Sequence, residues 1–103
     1  MKINYEDCLY EVKTTSRFNK ELKKVVKQNK DIKKLIEVVE KLANNESLDL
    51  KYRNHKLIND KYFKDCNECH IEPDWLLIYK IQNNELILLL FATGSHSDLF
   101  NHI

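Results

Sequence analysis

WLLIYKIQNNELILLLFATG, residues 75–94, consists of two almost wholly apolar runs parted by a pair of asparagines. Trp75–Ile81 and Glu85–Thr93 are both of strand length. A strand that is apolar on both faces belongs inside a sheet rather than at its edge. Asn83-Asn84 reads as a two-residue hairpin turn between them. The stretch thus predicts an antiparallel pair at the centre of a sheet, and the rest of the chain must supply neighbours and cover.

Working upstream, Tyr62–Ile71 and Tyr52–Ile58 read as two further strands of a meander, and Leu9–Lys13 (LYEVK) as an N-terminal strand. Between them the apolar period lengthens to that of a helix. Phe18, Leu22, Val25 and Val26 share one helical face behind a Ser16 N-cap, and Gln28-Asn29-Lys30 interrupts the pattern. Asp31 can cap a second helix, in which Ile32, Leu35, Ile36, Val39 and Leu42 repeat at helical spacing as far as Asn44-Asn45. The short break predicts an antiparallel helical hairpin. Two half-apolar helices of this length need a sheet to cover. With a short helical turn at Ser97–Asn101, the expectation is one α+β domain spanning residues 1–103.

Composition agrees with that reading. A chain of 103 residues, 43% hydrophobic and 32% charged, is that of a soluble globular protein with one core. No apolar run approaches the ~20 residues needed to span a bilayer. Met1–Asp7 has no apolar stretch of the secretory kind, so the expected location is the cytoplasm. Net charge is only +1, but it is unevenly placed. Residues 13–34 hold nine basic and two acidic side chains, whereas residues 35–103 hold seven and eleven. Such a dipolar chain can present a basic face to an anionic polymer, or simply a solvated lysine-rich helix surface.

The three cysteines, Cys8, Cys66 and Cys69, are odd in number and suit a reducing compartment. Cys66-Asn67-Glu68-Cys69-His70 spells the C-x-x-C-H pattern of haem attachment, which normally requires export, so no haem is expected. Zinc held by Cys66, Cys69 and His70 with His55 or His96 gives a plausible ligand count. Yet residues 66 and 69 point to opposite faces of a regular strand, and Asn67-Glu68 lacks a turn glycine. Both cysteines read better as packing residues.

The single proline and single glycine are informative by position. Pro73 directly precedes Asp74-Trp75, and Gly94 directly precedes Ser95-His96. Both residues can be turn punctuation alone, but together they single out His55, His70, Asp74, Trp75, His96 and Phe100. Histidines and a carboxylate can take the proton from a ribose 2′-OH and return one to the leaving 5′-oxygen, with Lys or Arg facing the phosphate charge. Trp75 and Phe100 can stack on unpaired bases. Taken singly, each has a plainer role: Trp75 in the core, Phe100 sealing the sheet, His55 and His70 on strand surfaces, His102 in a tail.

ECHIEPDWLLIYKI (68–81), FATGSHSDLF (91–100) and the upstream YRNHKL (52–57) resemble the YafQ branch of the RelE/ParE toxin superfamily, over about residues 9–101. The resemblance implies a RelE-like fold, a helical hairpin on a twisted, mostly antiparallel sheet. It implies a type II toxin–antitoxin ribonuclease that cuts messenger RNA in the ribosomal A site without metal or cofactor. Its partners would be a cognate antitoxin, the ribosome and mRNA, with no membrane. The toxin alone would be a monomer, forming a hetero-oligomer with its antitoxin. By the same resemblance His96 and Asp74 transfer protons, and His55 and His70 orient the phosphate or share that task. Phe100 positions a base and Trp75 shapes the pocket. Active relatives commonly have arginine where this chain has Ala92. The phosphate charge then falls to Lys51, Arg53, Lys56 or Lys80, or the chain is a degenerate toxin that binds antitoxin, with or without the ribosome, and does not cut. An introduced substitution would also account for Ala92.

Overall fold

The computed structural model describes residues 8–100. Strand β1 (Glu11–Thr14) leads into helix α1 (Ser16–Lys27) and helix α2 (Ile32–Ala43). A 3-10 turn (Leu50–Tyr52) and the two-residue strand β2 (His55–Lys56) follow, then β3 (Asn67–Glu72), β4 (Trp75–Gln82), β5 (Ile87–Gly94) and α3 (His96–Phe100). The strands form one sheet in the order β1-β5-β4-β3-β2, parallel only between β1 and β5. The doubly apolar pair β4 and β5 is interior, as its sequence requires, and the fold is the expected α+β arrangement.

With one glycine in the chain, asparagine supplies the left-handed residue at both helix ends. Asn29 (φ 60°) follows α1 and Asn45 (φ 59°) follows α2. In each case the next residue's N–H returns into the helix, Lys30 to the Val25 carbonyl (3.3 Å) and Glu46 to the Lys41 carbonyl (2.8 Å). These Schellman closures turn the chain sharply enough for a four-residue connection between the helices. Asp31 caps α2 through the Lys33 N–H at 3.1 Å. The cap of α1 is Thr15 rather than Ser16, its Oγ1 accepting from the Phe18 N–H at 3.0 Å.

Three expected elements are altered. The strand expected over 52–58 is cut to His55–Lys56, because a 3-10 turn and a left-handed Arg53 (φ 47°) precede it. The strand expected from Tyr62 begins only at Asn67; the preceding loop instead folds Phe63 into the interior. Between β4 and β5 the Asn83-Asn84 turn widens to a 3-10 turn at Asn83–Glu85 followed by a left-handed Leu86 (φ 53°). The helical turn expected to reach Asn101 starts at His96, and Asn101 and His102 lie outside the described residues.

The sheet carries a core on each face. On one, Phe18, Val25, Leu35, Val38, Val39 and Leu42 of the helices cover Val12, Cys69, Ile71, Trp75, Leu77, Tyr79, Leu88 and Leu90. Each such aliphatic side chain contributes about 1.5–3 kcal/mol on burial. On the other, Phe63 and Leu99 cover Cys66, Leu76, Ile78 and Ala92. Leu90 and Ala92 belong to different cores although they are two apart, because the β4–β5 register slips: Tyr79 pairs with Leu90 but Ile78 with Ala92, leaving Phe91 as a bulge. Among the described residues no helix is long and apolar enough to cross a membrane.

Candidate active site

The second face also carries the chemistry. On β3, Glu68 and His70 alternate with Cys69 and Ile71 of the helix-side core, and β2 sets His55 opposite Glu68. Glu68 is buried at 6% exposure, with its Oε1 3.3 Å from His70 Nε2 and 3.6 Å from His55 Nε2. The far side of each ring faces a carbonyl: His55 Nδ1 lies 2.7 Å from the Arg53 oxygen and His70 Nδ1 3.2 Å from the Pro73 oxygen. A carbonyl only accepts, so each Nδ1 is placed to donate to its carbonyl, and each Nε2 is the ring atom that faces the carboxylate. Glu68 was not among the candidates read from the sequence. Its i, i+2 relation to His70 on a strand is the signal that could have found it.

Asp74 and His96 come together from the other ends of β4 and β5. Asp74 Oδ1 accepts the His96 backbone N–H at 3.0 Å, so the carboxylate positions the start of α3 rather than the imidazole itself. Helix α3 is held by a capping box, in which the Ser95 N–H reaches Asp98 Oδ2 (3.4 Å) and the Asp98 N–H reaches Ser95 Oγ (3.1 Å). Asp98 also meets Lys24 Nζ of α1 at 3.2 Å. Burial pushes the Asp98 carboxyl up, but the bonds from Ser95 and Lys24 outweigh it and hold the group below its ordinary value. Gly94 has φ +156°, a backbone conformation that other residues resist, whereas an added Cβ would make only ordinary contact with Asp98 Cβ at 3.4 Å. His96 is exposed, and its ring lies 4.9 Å from that of half-buried Phe100, tilted by 34°.

The remaining candidates fare differently. Trp75 is fully buried in the helix-side core, its Nε1 donating to Thr93 Oγ1 at 3.0 Å, so stacking on a base is not open to it. It instead floors a cleft of about 390 Å³ lined by Lys24, Gln28, Lys30, Asp74 and Ser95. Lys56 pairs with Asn67, and alternation along β2 turns it to the face opposite His55. Lys80 lies opposite Leu89, four residues along β4 from the Leu76–Gly94 pair that leads to His96. Arg53 and Lys51 flank His70 along a second cleft of about 390 Å³. Cys66 and Cys69 are both buried and belong to different cores, which rules out their chelating one ion or attaching one haem as a pair. Burial pushes the Cys66 thiol up and that of Cys69 to about 12.

The comparisons with known proteins agree with this fold. Residues 10–101 match the family model described as the bacterial toxin of type II toxin–antitoxin system, YafQ. The chain belongs to the YafQ family. It is thereby a YafQ-like toxin of the RelE/ParE superfamily, and the fold expectation stands. It is 34% identical over 91 residues to the mRNA interferase toxin YafQ of Escherichia coli strain B, covering 87% of this chain and 95% of that protein. Among solved structures, a metal-bound toxin from Helicobacter pylori superposes with a TM-score of 0.82 at 43% identity, over 88% of this chain and 99% of that one. YafQ from the Escherichia coli DinJ–YafQ toxin–antitoxin complex gives 0.79 at 32% identity, over 89% and 98%. In this member of the YafQ family Glu68 lies buried between His55 and His70, and Ala92 of β5 is wholly buried.

Proposed function

We propose that this YafQ-family toxin is a ribosome-dependent endoribonuclease that cuts mRNA in the A site by acid–base catalysis without a metal. The observation that carries the reading is the His55–Glu68–His70 cluster on the sheet, together with the Asp74-anchored turn that presents exposed His96. One imidazole takes the 2′-OH proton and another protonates the 5′-oxygen. A positioned group of this kind contributes about 10²–10⁴-fold. Phe100, half-exposed against His96, receives a base. The protein works in the cytoplasm and is silenced by a cognate antitoxin. That partnership is supported by the Escherichia coli complex.

Primer extension on message-programmed ribosomes tests the reading. Discrete A-site cuts are expected from the protein, none from His96→Ala, and undiminished cutting by protein stripped of metal with a chelator and dialysed free of it before it meets the ribosomes. Cuts lost on stripping the protein and restored by adding back a transition metal would replace acid–base catalysis with metal catalysis. One observation favours a second reading, a toxin that binds without cutting: Ala92 places a buried methyl group, not a charge, beside the site. Ribosome binding with no cuts at any message position would establish it.

A further inference from the structure

An RNA strand on the second face brings a negative charge with every nucleotide, and several cations among the described residues are already engaged. Lys24 is tied to Asp98, and Lys30 and Lys34 to Glu72. Lys80 is a flexible point charge some 13 Å along the strand from the His96 end, at ~3.3 Å per residue.

Arg17 differs in how it is held. Strand β1 stops at Thr14, opposite Leu90, and beyond it β5 is flanked by α1 instead of a strand. Thr15 Oγ1 donates to the Phe91 carbonyl at 2.6 Å and Glu21 Oε1 accepts the Thr93 N–H at 3.2 Å. Between these contacts Arg17 Nε lies 3.2 Å from Glu21 Oε2, and its guanidinium carbon sits 4.9 Å from the centre of the Phe63 ring. Phe63 in turn meets Phe100 at 5.5 Å, and Phe100 meets His96 at 4.9 Å. The guanidinium is thus fixed by an acid and by an aromatic face. Its terminal nitrogens donate to nothing among the described residues, and the side chain is 37% exposed. A planar fork with two restraints and two unused donor groups is preorganised for a phosphate.

We propose that Arg17 binds a backbone phosphate of single-stranded RNA, on the far side of Phe100 from the linkage that faces His96. The identity of the ligand rests on the ribonuclease reading. Otherwise an Arg–Glu pair four apart on a helix is a minor support for that helix.

The probe is a fluorescent 2′-O-methyl RNA dodecamer, which cannot be cut because its 2′ oxygens are capped. Its affinity is measured by anisotropy across a KCl series for the protein, Arg17→Gln, Arg17→Lys and Glu21→Gln. Arg17→Gln should weaken binding about tenfold and reduce the log–log salt slope by about 0.7, the share of one single-strand phosphate. Arg17→Lys should keep the slope while losing part of the affinity, and Glu21→Gln should bind at least as well as the parent. An unchanged slope in Arg17→Gln overturns the proposal. So does equal loss in Glu21→Gln, which would mark a structural ion pair, or no binding by the parent. Ribosomal cutting run in parallel separates the two readings. His96-dependent cutting with Arg17→Gln indifferent in binding removes only Arg17, whereas an Arg17 effect on binding without any cutting removes only the nuclease.

Discussion

At the scale of single residues, Glu68 and Ala92 invite opposite substitutions. Glu68→Gln keeps the shape of a side chain buried between two imidazoles and removes its charge. Cutting on programmed ribosomes should fall about a hundredfold while the melting temperature stays within a few degrees. Full activity in that variant would take the carboxylate out of the proton chemistry. Ala92→Arg, by contrast, is no simple restoration. Ala92 is wholly buried in the core formed by Phe63, Cys66, Leu76, Ile78 and Leu99. A guanidinium there either stays unpaired in an apolar cluster or evicts Phe63, so several kcal/mol of stability should be lost in denaturant titrations. A variant that unfolds with the parent would show that the loop carrying Phe63 yields readily.

At the scale of elements, two irregularities aim the site. The Phe91 bulge in β5 moves Ala92 to the second face, and a register shift between His70 and Glu72 lets Glu72 meet Lys30 and Lys34 beside the helices although it is two residues from His70. Bulges of this kind re-aim side chains next to functional sites. Helix α3 depends on the Asp98 contacts with Ser95 and Lys24. Because the folded Asp98 value lies below the unfolded one, the contact contributes fully above about pH 4 and is lost as pH falls through the depressed value. Asp98→Asn should therefore lower the melting temperature at pH 7 and narrow the gap from the parent at pH 3. A constant gap across that range would assign the effect to packing. The helices, both interior strands, the Asp31 cap and the helix breaks at Gln28-Asn29-Lys30 and Asn44-Asn45 were legible in the sequence, because periodicity and local turn chemistry specify them. The bulges were not, since Leu88, Leu90 and Ala92 alternate as one face and only pairing with β4 reveals the slip. Glu68 was passed over for a related reason: its partners His55 and His70 meet only once β2 pairs with β3.

At the scale of the whole molecule, the uneven charge of the sequence resolves into engaged and free lysines. Lys24, Lys30 and Lys34 are spent on Asp98 and Glu72, bonds that clamp the helices to the ends of the sheet. The Lys34 contact holds the Glu72 carboxyl below its ordinary value. Lys20, Lys23, Lys27 and Lys33 are exposed and make no ion pair among the described residues, so their charge is available to an anionic partner. The helix-side core beneath them is complete without them, and exposed lysine-to-glutamine changes away from such contacts typically move stability within about 0.5 kcal/mol. Lys20→Gln, Lys23→Gln and Lys27→Gln together should thus leave the melting curve nearly unchanged. If this surface meets ribosomal RNA, each lost phosphate contact reduces the salt slope of ribosome binding by about 0.7–0.9. Cosedimentation across a KCl series should then show a slope lower by up to about two to three, with cut positions unaltered. An unchanged slope would place the ribosomal contact elsewhere and leave the lysine face to the antitoxin, where the same triple variant should dissociate faster from its partner.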